Sequence, residues 1–110
     1  MDHVEFNAIV EERYRQSRET LQQKAEEYAH GGNRFHNLDI AARTDGIPPV
    51  QAAWGMWLKH FVSVRDMVKG NCDVTEGLID SKIGDAINYL LLMEGLLRRE
   101  LQRKITIKGE

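Results

Sequence analysis

Apolar residues recur along this chain at spacings of three, four and seven, the period of helices buried on one side. Residues 3–29 carry Phe6, Ile9, Val10, Tyr14, Leu21, Ala25 and Tyr28 in that register, with Glu, Arg and Gln on the other faces. So narrow a stripe predicts a helix with one buried edge and a wide wet face. Gly31-Gly32 is expected to end it, because glycine enters the left-handed turn at a helix C-terminus without a Cβ clash. A second long helix is expected over about 49–69, "PVQAAWGMWLKHFVSVRDMVK", opened by Pro48 and Pro49, since proline is tolerated in a first turn. Its apolar face is broad: Trp54, Trp57, Leu58, Phe61, Val62 and Val68. Gly70-Asn71 stops it, and Asp73 followed by Glu76 forms a capping-box pattern for a third helix over 74–103.

That third helix has two apolar stripes, one of Ile79, Ile83, Ala86, Ile87, Leu90, Leu97 and Leu101, the other of Leu78, Tyr89, Leu92 and Leu96. A helix greasy on two sides needs two sets of neighbours. Two other long helices do not readily supply both, so self-association is expected, with a four-helix bundle completed across a partner copy. Between the first two long helices runs "HGGNRFHNLDIAARTDGIPP", too long for a passive connector. Within it "NLDIAARTDG" predicts a short helix, Asn37 as N-cap and Gly46 as terminator. The expected fold is therefore all-α, three long helices plus a short loop helix, in a single domain over 1–110.

Composition narrows the function classes. The 110 residues are 42% hydrophobic and 29% charged with a net charge of −2, ordinary for a globular chain. Nothing in that balance pulls toward nucleic acid or an anionic membrane, and basic residues are dispersed among acids, so direct nucleic-acid binding is not expected. One cysteine, Cys72, excludes an internal disulfide and fits a reducing compartment. "MDHVEFNAIVEERY" lacks a basic segment followed by an apolar one, and "YLLLM" is far too short to span a bilayer. The expectation is a soluble, cytoplasmic protein. P-loop, H-E-x-x-H and cysteine-pair zinc patterns are absent.

The chemistry is expected on the third helix, in "IDSKIGDAINYLLLMEGLL". Ser81, Asp85 and Asn88 share a face, and Lys82 flanks Asp85. An unpaired buried carboxylate costs several kcal/mol, so Asp85 must be paired, metal-bound or beside a wet cleft. Lys82 or Lys59 could pair with it, but Asn88 is a second polar group that a salt bridge does not require. On the second helix Lys59 and His60 sit at the edge of the apolar face, where a cation could reach a cleft. Glu12, Glu19 and Glu26 read as a solvated face. Glu27, at the helix end with Lys24 and Tyr28, could join Asp85 in holding Mg²⁺, which takes oxygen ligands and keeps waters for a bound phosphate. The loop offers Asn33, Arg34, Phe35, His36 and Asn37, suited to stacking and hydrogen bonding with a base, and equally suited to pinning the loop through Phe35 and capping through Asn37.

The order "KAEEYAHGGNRFHNL", "GIPPVQAAWGMWLKHFVSVRDMV" and "IDSKIGDAINYLLLMEGLL" resembles the phage-associated nucleotide-modification domain proteins, small all-α proteins grouped with the MazG-like nucleoside triphosphate pyrophosphohydrolases. The resemblance covers residues 24–97 and is most specific at Lys59-His60 and Lys82…Asp85…Asn88-Tyr89. It implies a MazG-like homodimer or homotetramer in host cytoplasm that binds a nucleotide with Mg²⁺ and splits a (d)NTP into monophosphate and pyrophosphate. By it Asp85, Lys59 and Glu27 would be catalytic, Asp85 and Glu27 holding the metal. Asn88 and Lys59 would contact phosphate or metal. Together with the reading of the residues themselves, Lys82, His60, Asn33, Arg34, Phe35 and Asn37 are expected to join Asn88 in binding the nucleotide. The MazG-like carboxylate pairs are incomplete: Ser81 stands where a carboxylate would complete a pair with Asp85, and Lys24 stands three residues before Glu27. That leaves two alternatives: a non-catalytic binder, sequestering a nucleotide signal of host defence or assisting DNA-base modification, or a helical interaction module.

Overall fold

A computed structural model describes residues 1–28 and 31–109, with backbone alone for 108 and 109. Ala29, His30 and Glu110, which fall in the expected first helix, loop and tail, lie outside the described residues. The rest form four α-helices: α1 (His3–Tyr28), α2 (His36–Asp45), α3 (Pro49–Val68) and α4 (Glu76–Gly109). The fold is all-α as the periodicity predicts. None of the described helices is long and apolar enough to cross a membrane. The molecule is 53 Å long, about the length of α4 alone at ~1.5 Å per residue.

Local chemistry explains most of the boundaries. The Asp2 carboxylate accepts a hydrogen bond from the Glu5 N–H at 2.8 Å and caps α1. Gly46 ends α2 at φ 68°, and the Ile47 N–H returns to the Ala42 carbonyl, a left-handed cap in which a Cβ would be strained. Pro49 occupies the first turn of α3. Two expected caps differ. The hydroxyl of Thr75, and not the Asp73 carboxylate, accepts the Leu78 N–H at the start of α4, so the cap falls two residues later than the capping-box pattern placed it. Phe35, not Asn37, flanks the start of α2, with no side-chain cap. Asn33 instead folds back, its amide oxygen accepting the Phe35 N–H at 3.0 Å.

The core is small and lies where α2, α3 and α4 meet. Leu38, Ala53, Met93 and Leu96 are buried, with Phe35, Val50, Met56, Trp57 and Leu92 packed around them. α3 and α4 run antiparallel and share the largest interface, α2 lies against α3, and α1 touches α4. Ala52 and Ala53 bring α3 close to its neighbours. α1 runs alongside α4 in the same direction, Arg13 reaching Asp80 at 3.2 Å while Lys24 and Tyr28 lie near Tyr89. Its first turns therefore project past the start of α4, and Phe6, Ile9 and Tyr14 are exposed rather than forming the expected buried edge. Ser17 is the one α1 residue described as buried. Some of the remaining charges of α1 pair along the helix, Arg15 with Glu12 and Glu19, as on a solvated face.

One polar cluster ties the loop to the far end of α4. Arg99 donates two hydrogen bonds to the Asp39 carboxylate, at 2.7 and 3.1 Å, and the Asn33 amide donates a third at 2.9 Å. The Arg99 guanidinium also lies 5.1 Å from the centre of the Phe35 ring. The Arg99 hydrogen bonds, helped by Asn33, hold the Asp39 carboxyl below its ordinary value of 3.8 against the opposing effect of burial. A carboxyl with a depressed folded pKa adds stability that is complete above the unfolded value and is lost as pH falls through the folded one. Asp39→Asn should therefore cost about 2–3 kcal/mol at neutral pH, and its deficit against the unchanged protein should shrink below about pH 4. Urea unfolding across a pH series measures this; a gap that stays constant down to about pH 3 would show that Asp39 is not linked to acid stability.

Candidate functional site

All four helices contribute to a cleft of about 420 Å³. α4 supplies Asp85, Asn88, Tyr89 and Leu92, which fall on one face because they lie at i, i+3, i+4 and i+7. The next residue of that series, Leu96, enters the core, so the cleft continues the core upward along α4. On α3 the same logic carries Ala53 into the core and brings Met56 and His60 to the cleft. α1 adds Thr20, Leu21, Lys24 and Tyr28, again one face, and the loop with α2 adds Arg34, Asn37 and Leu38. The buried residues Leu38 and Asn88 lie deepest, and the exposed Lys24, Tyr28 and Asn37 form the rim.

Polar contacts within the cleft are sparse. His60 stacks on Tyr89, ring centres 5.0 Å apart, and its Nδ1 lies 3.7 Å from Asp85 Oδ2. That distance allows charge attraction when the imidazole is protonated but is too long for a hydrogen bond. Lys24 Nζ lies 3.4 Å from both the Tyr28 hydroxyl and the Glu27 carboxylate, and these contacts raise its pKa, that to Tyr28 most, keeping it cationic. The Arg34 guanidinium donates to the Leu21 carbonyl at 3.3 Å, which fastens the loop to α1. Burial, then the charge of Asp85, pushes the Tyr89 phenol up, so it stays a neutral hydroxyl near pH 7. The Asn88 amide oxygen is buried and has no hydrogen-bond partner.

Five of the residues singled out in the sequence meet here: Asp85, Asn88, His60, Arg34 and Asn37. Six others lie elsewhere. Lys59 is exposed, one residue or ~100° around α3 from His60. Lys82 and Ser81 are off the cleft, so the polar strip expected on α4 is only its Asp85–Asn88 part. Glu27 is exposed and paired with Lys24. Asn33 and Phe35 serve the Asp39–Arg99 cluster instead, the Phe35 ring packing against α4 at Gly95. The sequence reading did not assign Lys24, Tyr28, Tyr89 or Thr20 to the site. The signal for three of them was the register: Tyr89 stands four residues after Asp85, and Lys24 and Tyr28 are four apart.

Mg²⁺ held by Asp85 and Glu27 does not fit this arrangement. Among the described residues Asp85 is the one carboxylate lining the cleft, and Glu27 is paired with Lys24. Among the described residues no three His, Cys, Asp or Glu side chains gather in a way that would hold a metal ion. What the cleft offers is two fixed cations, an imidazole stacked on a phenol, a second phenol and an unsatisfied amide. That set suits a flat, polar, anionic molecule.

A buried acceptor without a partner costs about 1–3 kcal/mol. Asn88→Leu, similar in size, should therefore raise the unfolding free energy of the ligand-free protein by about 1 kcal/mol. Chemical denaturation tests this, and a clear loss of stability would show that the Asn88 amide is already satisfied. Comparison of the chain with protein-family models, with curated proteins and with solved structures finds no match. Its function has to be read from the cleft.

Proposed function

We propose that the cleft binds a nucleotide. The observation that carries this reading is the meeting, in one 420 Å³ space, of Lys24 and Arg34 with the stacked His60–Tyr89 rings and the unpaired Asn88 amide. Cations hold phosphate, aromatic faces hold a base of any identity, and a buried amide oxygen demands a donor such as an exocyclic amine. The resemblance of residues 24–97 to phage nucleotide-modification domain proteins implies the same ligand class. Binding is favoured over hydrolysis to monophosphate and pyrophosphate, because Asp85 lies beside His60 and no second carboxylate among the described residues lines the cleft with it. On this reading the protein is a cytoplasmic nucleotide binder of phage type.

Incubating the protein with a panel of (d)NTPs, monophosphates and cyclic nucleotides, with and without Mg²⁺, should give saturable binding and an unchanged nucleotide on chromatography. Lys24→Ala should weaken binding by about tenfold or more. Monophosphate and pyrophosphate appearing with Mg²⁺, and disappearing in Asp85→Ala, would replace the binder with a pyrophosphohydrolase. No binding to any of them would leave only an interaction module.

Self-association belongs to the same proposal. On the other side of the α3–α4 pair, Val50, Trp54, Leu90, Met93, Leu97 and Leu101 line an apolar groove of about 630 Å³, with Glu94 and Arg98 beside it. Trp54, Leu90, Leu97 and Leu101 are each about half exposed, a contiguous patch unusual for a monomer. Two antiparallel copies of α4 crossing near Leu97 would set Glu94 of each against Arg98 of the other, a self-complementary arrangement for a two-fold dimer. Leu97→Glu should convert a dimer or tetramer into monomer in sedimentation. A monomeric starting protein at micromolar concentration would sink the idea.

A further inference from the structure

We infer that the nucleotide taken by this cleft carries a single phosphate group, gripped between Lys24 and Arg34, and that Asp85 is the residue that excludes longer phosphate chains. The inference rests on the nucleotide reading above and names its ligand class.

The two cations are placed to share one group. Arg34 is anchored through one Nη2 N–H to the Leu21 carbonyl, and Leu21 precedes Lys24 by one helical turn on the same face of α1. The guanidinium and the ammonium therefore flank a common space at the rim. A guanidinium has five donors, and the bond to Leu21 uses one, so the planar fork retains donors for phosphate oxygens. Lys24 holds the Tyr28 hydroxyl and Glu27 only at 3.4 Å, contacts that a phosphate oxygen at shorter range can replace.

The charge balance of the lining then sets how much phosphate can be held. Its fixed charges are Lys24 and Arg34 against Asp85, with His60 adding one positive charge when protonated. A single phosphate monoester brings a charge of about −1.5 to −2 at neutral pH, and a phosphodiester about −1. Either is matched by the two cations. A triphosphate brings roughly twice the monoester charge, and a site that takes one meets that excess with further cations or with a metal ion held by carboxylates. Among the described residues Asp85 is the only carboxylate lining the cleft, and it lies on α4 beside His60. A second or third phosphate held in the same cleft would share it with Asp85 and meet a like charge. A base entering instead meets Tyr89, His60 and the Asn88 amide, for which it carries the matching flat face and donors. Specificity by a placed repulsion needs no extra contact with the accepted ligand.

The test is calorimetry on the full chain, in EDTA and in Mg²⁺. It uses the 5′-monophosphate, 3′,5′-cyclic monophosphate and 5′-triphosphate of each base, on unchanged protein, Asp85→Asn and Lys24→Gln, each checked for an unaltered cooperative melt. In EDTA the best single-phosphate ligand should bind at least about tenfold tighter than the triphosphate of the same base. The monophosphate and cyclic arms show whether that phosphate is a monoester or a diester. Asp85→Asn should narrow the preference to within about threefold by tightening the triphosphate, and Lys24→Gln should weaken the single-phosphate ligand by about tenfold. Triphosphate binding as tight as monophosphate in EDTA would overturn the inference and leave the nucleotide reading standing. So would Mg²⁺-dependent triphosphate binding that Asp85→Asn abolishes, or a preference that Asp85→Asn leaves unchanged. Failure of every nucleotide to bind would overturn both.

Discussion

The two-pronged ion pair between Asp39 and Arg99 is the constraint on which the rest of the structure depends. The partners are 60 residues apart in sequence, so the pair closes the chain on itself and fixes where the loop after α1 crosses α4. Its members alternate with those of the cleft. Asn33 and Asp39 serve the pair and Phe35 packs beneath it, while Arg34, Asn37 and Leu38, interleaved with them, line the cleft. A rotation of the loop that broke the pair would therefore turn Arg34 away as well. Paired charges at this depth add little net stability over apolar residues, but removing one partner leaves the other stranded. Arg99 Nε is already unpaired and buried, which makes the two remaining hydrogen bonds to Asp39 more consequential.

Space for this cluster comes from a glycine. A Cβ on Gly95 would sit 2.7 Å from the tip of the Phe35 ring, closer than any carbon contact tolerates, so α4 gives up a better helix former to let the ring approach it. Phe35 then screens the Asp39–Arg99 pair from water on one side and joins Leu38, Ala53, Met93 and Leu96 on the other. Gly84 has the same relation to Arg13, whose guanidinium would lie 2.7 Å from a Cβ there. Because the Arg13 contact is made by the end of a flexible side chain paired with the exposed Asp80, that approach is a looser one than the Phe35 contact.

Helix existence was legible in the sequence because it depends on local periodicity and caps; α1 and α3 start and end within a residue of expectation, while α2 begins two residues earlier than Asn37 as N-cap placed it. The end of α4 was not. The segment "KITIKG" has no periodicity of its own, yet it continues a helix already nucleated, at little cost per added residue. The core-facing half of α4 was legible too, since Leu92 and Leu96 belong to the stripe that packs. The site was half legible. On helices, spacing alone grouped Asp85 with Asn88, but choosing His60 over Lys59 needs the rotation of α3, which its packing on α4 decides. In the loop no period exists, and whether Asn33, Arg34 or Phe35 turns to the cleft depends on two glycines at positive φ, 57° and 78° at Gly31 and Gly32. Side-chain direction after such a turn cannot be read from residue order.

α1 is the least secured wall of the cleft, and this bears on how any ligand must act. Ser17 is buried there without a hydrogen-bond partner, and the exposed Phe6, Ile9 and Tyr14 give its first turns no hold on the rest of the chain. Its ties are the Arg13–Asp80 pair, the Arg34 bond to the Leu21 carbonyl and the contacts of its last turns over Tyr89. A molecule that touches Lys24 on α1 and Asn88 on α4 together adds a tie at the place where the structure has fewest. Part of its binding free energy must then go into holding α1 against α4, and the docked arrangement of α1 is favoured in return by the same amount. The cleft and the packing of α1 are for this reason one equilibrium: loosening α1 weakens the ligand, and the ligand steadies α1.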